Sequence, residues 1–355
     1  MPTIILAITT EVFYTRISVS KNENIFYQKD IDHSKDDFIL MDNIMDQLPF
    51  RRDAIMNQLR NDAIDIKSIQ YIVAEGGLLK PCESGVYDIN KNMIGDMIDG
   101  AGGDDVINMA GLLAFTIANI LRVKALVVDP ASVDERSELA SFFSHPITRK
   151  KSLFHALVHK YLSNKYAKSV NENYENLNIV FCHVSDRNVS VGAHKQGCVV
   201  DVNQAYMGFG PMGFFETGTM PVSNVLDMMF KKHYTKDEML KLINRNATFH
   251  HYIATNSCDE IASLKNDKRT DMILDVMAYQ ISKEIASHYV TLDGEIDAII
   301  LSGKIFSDNR FFKYLSKRIE NLAPIISYPK DYTAEAMICN VLRTVNGENK
   351  IKTYV

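Results

Sequence analysis

The segment NIVFCHVSDRNVSVGAHKQGCVVDVN, residues 178–203, decides the fold. It contains three short apolar runs, at 178–182, 188–193 and 198–203, which polar residues separate. Runs of this length and composition, joined by Asp, Asn and Gly, predict three consecutive strands with hairpin connections. The segment therefore indicates a sheet that begins with three strands in sequence order.

The same plan opens the chain, where residues 3–8, 12–20 and 24–28 predict three short strands. Apolar periodicity then predicts further elements after both three-strand sets. These elements are helices at 36–61, 104–121, 152–170 and 271–289, helices from 309 and from 333, and strands at 69–74, 125–128, 298–301 and 323–328. The repeat predicts a duplicated α/β architecture of βββαβαβα type.

The chain is long enough for two domains, with 355 residues of which 46% are hydrophobic. The repeat places an N-terminal domain at residues 1–160 and a C-terminal domain at residues 161–355. Because the predicted helix at 152–170 crosses this boundary, the two domains could share it. The terminal helix, predicted at 333–348, could pack back on the N-terminal domain.

Composition argues against several classes of protein. The net charge is −5, and the 39 basic and 44 acidic residues are spread along the chain, so no basic stripe favours nucleic acid. No apolar run approaches the roughly 18 residues of a membrane span. Residues 1–20 lack the features of a secretory signal, and the five cysteines form no CxxC pair. We therefore expect a cytoplasmic protein that binds neither nucleic acid nor membrane.

Several strings along the chain carry a resemblance to one enzyme family. They are GGLLKP (76–81), GVYDIN (85–90), VVDP (127–130), VDE (133–135), RKKSLFHAL (149–157), SVGAHKQGCVVDVNQA (190–205), YTKDEM (234–239), AYQISKEI (278–285), DAIILSG (297–303) and LAPIISYP (322–329). Together they resemble butyrate kinases and branched-chain fatty-acid kinases of the acetokinase family. The resemblance implies duplicated actin-like (ribonuclease H-like) domains and a dimer. It also implies interconversion of ATP and a short carboxylate with ADP and an acyl phosphate, using Mg²⁺.

Three residues match site positions of the family. The resemblance implies that His155 stabilises the transferred phosphoryl group, that Asp134 lies near the metal and the acyl substrate, and that Glu335 is associated with the metal. The residues themselves leave alternatives open. His155 could be an interior histidine, Asp134 a helix N-cap, and Glu335 an acid that favours the helix dipole.

Both phosphate-binding hairpins depart from the family pattern. The family's first hairpin has small residues that let backbone approach phosphate, whereas this chain has Thr9, Thr10, Glu11 and Val12. The second hairpin runs from His183 to Val189. Three family glycines are replaced there by Ser185, Asp186 and Arg187. Arg187 could supply a phosphate charge, or it could belong to a polar turn.

Further family positions are replaced as well. Glu75 and Thr217 stand where the family has arginines, and a family Thr-Gly-Gly turn on the adenosine side reads Ser302, Gly303 and Lys304. The histidine expected near the start of the helix at 104–121 falls on Asp105 or Val106. The family loop at 247–257 is also changed, and its adjacent His250 and His251 make a poor half of a metal site.

Loss of these groups predicts a chain of butyrate-kinase descent that is impaired or inactive as a kinase. Such a pseudoenzyme could act as a scaffold, as a sensor of a small ligand, or as the partner of an active paralogue, in a homodimer or a heterodimer. The alternative is an active short-chain fatty-acid kinase in which Arg187 and Lys304 restore the missing charge. ATP or ADP, Mg²⁺ and a small carboxylate are the ligands that the resemblance implies.

Overall fold

The structure is a computed structural model that describes residues 2–33, 36, 41, 44–143, 145–244, 249–253, 258–264 and 267–355. The chain divides into two compact units. The first comprises Met1–Asp134, Ala156–Val158 and Tyr332–Val355, and the second comprises Glu135–His155 and His159–Asp331. These units reflect packing, and the division into domains at residues 1–160 and 161–355 stays a prediction.

The strands are numbered in chain order. They are β1 (Ile4–Thr10), β2 (Tyr14–Lys21), β3 (Asn24–Asp32), β4 (Tyr71–Glu75), β5 (Val86–Asp88), β6 (Lys124–Val128), β7 (Ile179–Val184), β8 (Val189–Lys195), β9 (Cys198–Val202), β10 (Ala298–Ser302), β11 (Ile325–Tyr328) and β12 (Ile351–Thr353).

The α-helices are numbered in the same way. They are α1 (Leu48–Asn61), α2 (Lys91–Asp99), α3 (Asn108–Leu121), α4 (Ala156–Ser169), α5 (Val222–Phe230), α6 (Lys236–Asn244), α7 (Phe249–Ile253), α8 (Cys258–Ser263), α9 (Lys268–Thr291), α10 (Asn309–Ile319) and α11 (Thr333–Val345).

In the part of the chain that the structure describes, the first unit contains a seven-stranded mixed sheet with the order β12-β5-β6-β4-β1-β2-β3. Strands β1, β2 and β3 pair antiparallel, and β1, β4 and β6 pair parallel. Helices α3 and α11 both pack against β1, β4 and β6. The terminal helix α11 therefore packs on the sheet of the first unit.

The second unit repeats this arrangement in a sheet that has five strands among the described residues, in the order β11-β10-β7-β8-β9. Strands β7, β8 and β9 pair antiparallel, and β7, β10 and β11 pair parallel. The order β9-β8-β7-β10-β11 repeats β3-β2-β1-β4-β6 of the first sheet. The duplicated α/β fold with two mixed sheets is therefore confirmed.

Apolar residues explain the central elements of the second unit. All six residues of β7 and all five of β10 are buried, as expected for inner strands covered on both faces. Helix α9 buries Ile273, Met277, Ile281 and Ile285 along one stripe, and it packs against β7, β8 and α10. The Asp267 side chain caps its N-terminus by accepting hydrogen bonds from the N–H groups of Arg269 and Thr270.

Some boundaries differ from the predictions. The helix expected at 36–61 begins only at Leu48, after a 3₁₀ turn at Ile44–Gln47, and residues 37–40 and 42–43 lie outside the described residues. The strand expected from residue 12 begins at Tyr14, because residues 11–13 form the hairpin turn. The helix predicted at 333–348 ends at Val345, where Gly347 takes a positive φ of 82°.

Candidate functional site

The turn between β1 and β2 follows Thr9 and Thr10, at which the resemblance implies a first phosphate loop. Thr9 and Thr10 end β1, and the buried Thr10 donates from Oγ1 to the carbonyl oxygen of Val106 at 2.8 Å. The N–H of Glu11 donates to the carbonyl oxygen of Tyr14 at 2.9 Å. This N–H group is therefore already hydrogen-bonded within the hairpin.

A buried arginine holds the same turn from the interior. Arg51 is fully buried, and its guanidinium donates to the carbonyl oxygens of Glu11 at 3.1 Å, Val12 at 2.8 Å and Tyr14 at 3.2 Å. These carbonyl groups compensate the desolvated charge. We did not predict Arg51 from the sequence, although it precedes Ile55 by four residues on the buried face of α1.

The GGLLKP loop follows β4, whose last residue is Glu75. A Cβ on Gly76 would lie 2.2 Å from Pro130 Cβ, and one on Gly77 would lie 2.4 Å from Asn108 Oδ1. Asn108 is fully buried and accepts a hydrogen bond from the N–H of Leu78 at 2.7 Å. Close packing thus requires both glycines, and Asn108 fixes the loop.

The two candidate positions for the family's histidine are both buried ahead of α3. Asp105 accepts a hydrogen bond on Oδ1 from the N–H of Ile107 at 3.1 Å, and the carbonyl oxygen of Val106 accepts from Thr10. Both residues therefore take part in holding the start of α3 and the end of β1.

Asp134 and Glu335 both lie in the first unit. Asp134 is half-buried, and its N–H donates to the carbonyl oxygen of Cys82 at 2.9 Å. It does not cap a helix, because the next helical turn is Leu139–Ser141, whose N-cap is Glu138. Glu335 is half-buried in the first turn of α11, where a carboxylate favours the helix dipole.

The turn between β7 and β8 lies in the second unit and contains Ser185, Asp186 and Arg187, at which the resemblance implies a second phosphate loop. The hydroxyl oxygen of Ser185 accepts hydrogen bonds from the N–H groups of Arg187 and Asn188, both at 3.0 Å. The N–H of Ser185 donates to the carbonyl oxygen of Asn188 at 3.0 Å. The N–H groups of Ser185, Arg187 and Asn188 are therefore all satisfied within the turn.

Arg187 points into the second unit and forms a buried ion pair. Its Nη2 lies 3.2 Å from Glu216 Oε1, and the two side chains are only 6% and 2% exposed. Asn188 donates from Nδ2 to the same oxygen at 2.7 Å. Sequence reasoning missed Glu216, which precedes Thr217. Thr217 itself donates from its N–H to the carbonyl oxygen of Ile243 at 3.1 Å.

Gly303 and Lys304 follow β10 and lie beside this turn. Lys304 Nζ is 3.7 Å from Asp186 Oδ2. Gly303 has a φ of 128°, and a Cβ there would lie 2.1 Å from the carbonyl oxygen of Val184. Backbone conformation and close approach to β7 therefore both require glycine at this position.

His155, at the N-cap of α4, and His183, on β7, are in contact in the second unit. Their ring centroids are 4.7 Å apart, and His183 Nδ1 is 3.2 Å from Ser302 Oγ. Burial lowers the pKa of His155 well below its ordinary value and lowers the pKa of His183 to about 4. Both imidazoles are therefore neutral near pH 7, and His155 does adopt the interior position that was one of its two interpretations.

Two further histidines that we did not predict extend this group. His159 lies one helical turn after His155 on α4, and His194 lies on β8. Both are fully buried, and burial lowers both pKa values well below the ordinary range. Their spacing gave a signal, because His155 and His159 share a helix face while Ser190 and His194 share a strand face.

The remaining predictions fall partly outside the described residues. Of the changed loop at 247–257, residues 247–248 and 254–257 lie outside them, and Phe249–Ile253 forms the short helix α7. Within the described ranges, no group of three or more His, Cys, Asp or Glu side chains could hold a metal ion. Among the same residues, no helix is long and apolar enough to cross a membrane.

Comparison with known proteins places the chain in a family. Residues 46–319 match the Acetokinase family. The chain therefore belongs to the acetokinase family. It is 36% identical over 342 residues to Butyrate kinase 2 of Clostridium acetobutylicum, and the match covers 96% of each chain. It is 35% identical over 342 residues to a probable butyrate kinase of Clostridium botulinum, again over 96% of each chain. Within the family, the chain is thus a homologue of butyrate kinases.

Solved structures share the fold. The acetate kinase of Porphyromonas gingivalis has a TM-score of 0.75 at 14% identity, covering 97% of this chain and 100% of that one. A propionate kinase of Francisella tularensis has a TM-score of 0.73 at 13% identity, covering 95% of this chain and 98% of that one. These likenesses support the actin-like, acetokinase-type fold.

Proposed function

We propose that this protein is a butyrate-kinase homologue that has lost most or all phosphoryl transfer and acts as a pseudoenzyme. The observation that carries the proposal is the β7–β8 turn. A phosphate-binding turn needs backbone N–H groups that point at the ligand. Here the N–H groups of Arg187 and Asn188 donate to Ser185 Oγ instead. This arrangement does not fit a nucleotide phosphate.

The charges near the turn support the same proposal. An active kinase with a rebuilt site would need Arg187 and Lys304 to face phosphate. Arg187 is buried against Glu216, and Lys304 lies 3.7 Å from Asp186. Withdrawing Arg187 would leave a buried carboxylate without its counter-charge, a change that costs about 3–5 kcal/mol. The rebuilt-kinase alternative is therefore the weaker of the two.

Glu75 and Thr217 add a second argument. An arginine near the transferred phosphoryl group stabilises the negative charge of the transition state, and removal of one such donor costs about 3–4 kcal/mol. Glu75 replaces one family arginine by an anion, and Thr217 replaces the other by a neutral group. Both changes would weaken phosphoryl transfer, as would the internal hydrogen bonds of the β7–β8 turn.

The retained residues are proposed to be remnants of an ancestral site. In the ancestor, ATP or ADP would have bound the two hairpins, Glu335 would have been associated with Mg²⁺, and Asp134 would have served the carboxylate. His155 would have contacted the phosphoryl group. We propose that this chain keeps their positions and retains at most a small carboxylate or another small ligand.

We propose that the protein acts through a partner in the cytoplasm, as a homodimer or with an active paralogue. Helix α5 has no buried residue. Its Val222, Leu226 and Phe230, spaced by four, are 73%, 48% and 73% exposed. An apolar stripe of this kind is typical of protein interfaces. Sedimentation of the wild type and of Leu226→Asp tests this part, since a dimer held by α5 should dissociate.

A coupled assay of acyl phosphate formation tests the loss of activity. Purified protein is given ATP, Mg²⁺ and either butyrate or isobutyrate, with Butyrate kinase 2 of Clostridium acetobutylicum as the positive control. We expect a rate at least about 10³-fold below that control, because two arginines and the N–H donors are replaced. Turnover within about tenfold of the control would establish the active-kinase alternative.

A further inference from the structure

Five buried side chains of the second unit form one continuous hydrogen-bonded chain. Tyr174 Oη lies 2.7 Å from His194 Nδ1, and His194 Nε2 lies 3.1 Å from His159 Nδ1. His159 Nε2 lies 2.8 Å from Ser190 Oγ, and Ser190 Oγ lies 2.9 Å from His155 Nδ1. The most exposed of these side chains is His155, at 9%. Water is therefore not available along this hydrogen-bonded series to pair with a ring nitrogen or hydroxyl group that lacks its partner.

The hydrogen bonds couple the protonation of the three rings. A neutral imidazole carries one proton, so one ring nitrogen donates and the other accepts. Between His159 and His194, one nitrogen must therefore donate to the other. Ser190 has one hydroxyl proton, so it can donate to one histidine only while the other donates to it. Full pairing consequently allows two arrangements, in which every donor points toward His155 or every donor points away.

Tyr174 decides between these two arrangements. A phenol O–H is a stronger donor than an imidazole N–H, and a phenol oxygen is a weaker acceptor than an imidazole nitrogen. The 2.7 Å contact therefore favours donation from Tyr174 Oη to His194 Nδ1. Ser163 Oγ, 3.3 Å from the same nitrogen, can donate in the same sense. Both hydroxyls thus favour the arrangement that points toward His155.

We propose that Tyr174, His194, His159 and Ser190 are positioning residues that fix the tautomer of His155, so that His155 accepts on Nδ1 and carries its proton on Nε2. His155 then presents a neutral N–H donor to a ligand oxygen with partial negative charge, such as that of a carboxylate or an acyl phosphate. The inference goes beyond the proposed function, because it holds whether or not the protein transfers phosphate.

The surroundings favour a neutral donor over an imidazolium. Burial, and then the neighbouring His183 and Arg187, lower the pKa of His155 well below its ordinary value. Burial and the Lys160 cation act in the same way on the pKa of His194. Because the chain stays uncharged near pH 7, Tyr174 controls the location of a proton on His155 without changing the net charge.

Nuclear magnetic resonance with ¹⁵N-labelled histidine tests the proposal without nucleotide or substrate. Two-bond ¹⁵N–¹H correlations distinguish the Nε2–H tautomer from the Nδ1–H tautomer of each ring. In the wild type, we expect His155, His159 and His194 all to be Nε2–H tautomers. A mixed set, or three Nδ1–H tautomers, would overturn the proposal, and this measurement needs no variant to fold.

The double substitution Tyr174→Phe with Ser163→Ala removes both hydroxyl donors at the far end. We expect the Nδ1–H population of His194, His159 and His155 to rise together, because no hydroxyl group at that end then favours donation toward His155. Adding Ser190→Ala should interrupt the hydrogen-bonded series, so that the tautomer of His155 no longer changes with the tautomer of His194. Tyr166→Phe, which changes another buried tyrosine of the same unit, is the matched control and should leave all three rings unchanged. A tautomer population of His155 that is unchanged in the double variant would contradict the inference.

Discussion

At the scale of single residues, the second unit contains the buried ion pair of Arg187 with Glu216 and several neutral buried histidines. Arg187 and Glu216 are both nearly inaccessible to water, so each depends on the other for compensation of its charge. The buried histidines avoid this problem by staying neutral, because desolvation disfavours the imidazolium form. Each group gives a distinct prediction for stability.

We expect Glu216→Gln to reduce the free energy of unfolding by about 3–5 kcal/mol, because Arg187 is left as a buried charge without its partner. Urea denaturation measures the change. The matched control is Glu348→Gln, which breaks the exposed pair with Arg343 and should cost at most about 1 kcal/mol. Equal effects of the two substitutions would mean that Arg187 is not buried against Glu216.

The buried histidines predict a loss of stability on mild acidification. Burial lowers the pKa of His183 and of His288 to about 4, while the unfolded chain titrates near 6.5. Below pH 6.5 the unfolded state therefore binds protons that the folded state does not, and stability falls as pH drops toward 4. Each such histidine lowers the free energy of unfolding by about 1.4 kcal/mol for each pH unit of acidification in this window. Urea midpoints at pH 7.5 and pH 5.0 test this, and equal midpoints would contradict it.

The sequence indicated candidate site residues but not their contacts. His155 and Asp134 became candidates because each lies within a matching string, and Glu335 because it lies at the start of the predicted terminal helix. The ion pair of Arg187 with Glu216 could not be found, since its members are separated by 29 positions and meet only through tertiary packing. Whether a polar residue in a turn faces outward or inward is likewise decided by packing.

At the scale of elements, close backbone approach determines how the strands of the second sheet end. Strand β10 pairs in parallel with β7 from Ala298 to Ser302. Gly303 follows directly, with its Cα facing the carbonyl group of Val184. The glycine that the resemblance relates to nucleotide binding therefore also has a structural requirement.

We expect Gly303→Ala to destabilise the protein by about 2 kcal/mol or more, because its Cβ would lie 2.1 Å from the carbonyl oxygen of Val184 at a φ of 128°. Thermal or urea unfolding measures the effect. Gly95→Ala is the control, because no atom lies within 4 Å of a Cβ there and the residue is inside helix α2. It should stabilise the protein by up to about 1 kcal/mol. A neutral Gly303→Ala variant would show that β10 and β7 do not approach so closely.

Long or strongly apolar elements were predictable from the sequence, and the two three-residue strands were not. Helix α9 was found because its apolar residues recur at helical spacing, and β7 and β10 because each is a continuous apolar run. Strands β5 and β12 have only three residues each, and β12 has no buried residue. Its register depends on the adjacent Tyr354, whose hydroxyl group donates to Asp96 Oδ2 at 2.7 Å. That contact spans 258 positions and has no local signal.

At the scale of the whole molecule, the residues that carry the family resemblance differ from the residues that depart from the family pattern. The duplicated sheets and the match over 96% of the chain place the protein among butyrate kinase homologues. Framework strings include buried structural residues such as Asn203, whose side chain accepts a hydrogen bond from the N–H of Val191. The replaced residues lie at the two hairpins, at the end of β4, after β10 and at Thr217. On our proposal, the fold and the loss of phosphate binding depend on separate sets of residues.

Calorimetric titration with nucleotide tests the proposed loss of phosphate binding most directly. ATP or ADP with Mg²⁺ is added to the purified protein, and Butyrate kinase 2 of Clostridium acetobutylicum serves as the binding control. We expect no saturable heat up to about 1 mM nucleotide, the upper end of ordinary KM values. A saturable isotherm with a micromolar Kd would contradict the account, because it would require the donors of the β7–β8 turn to face phosphate.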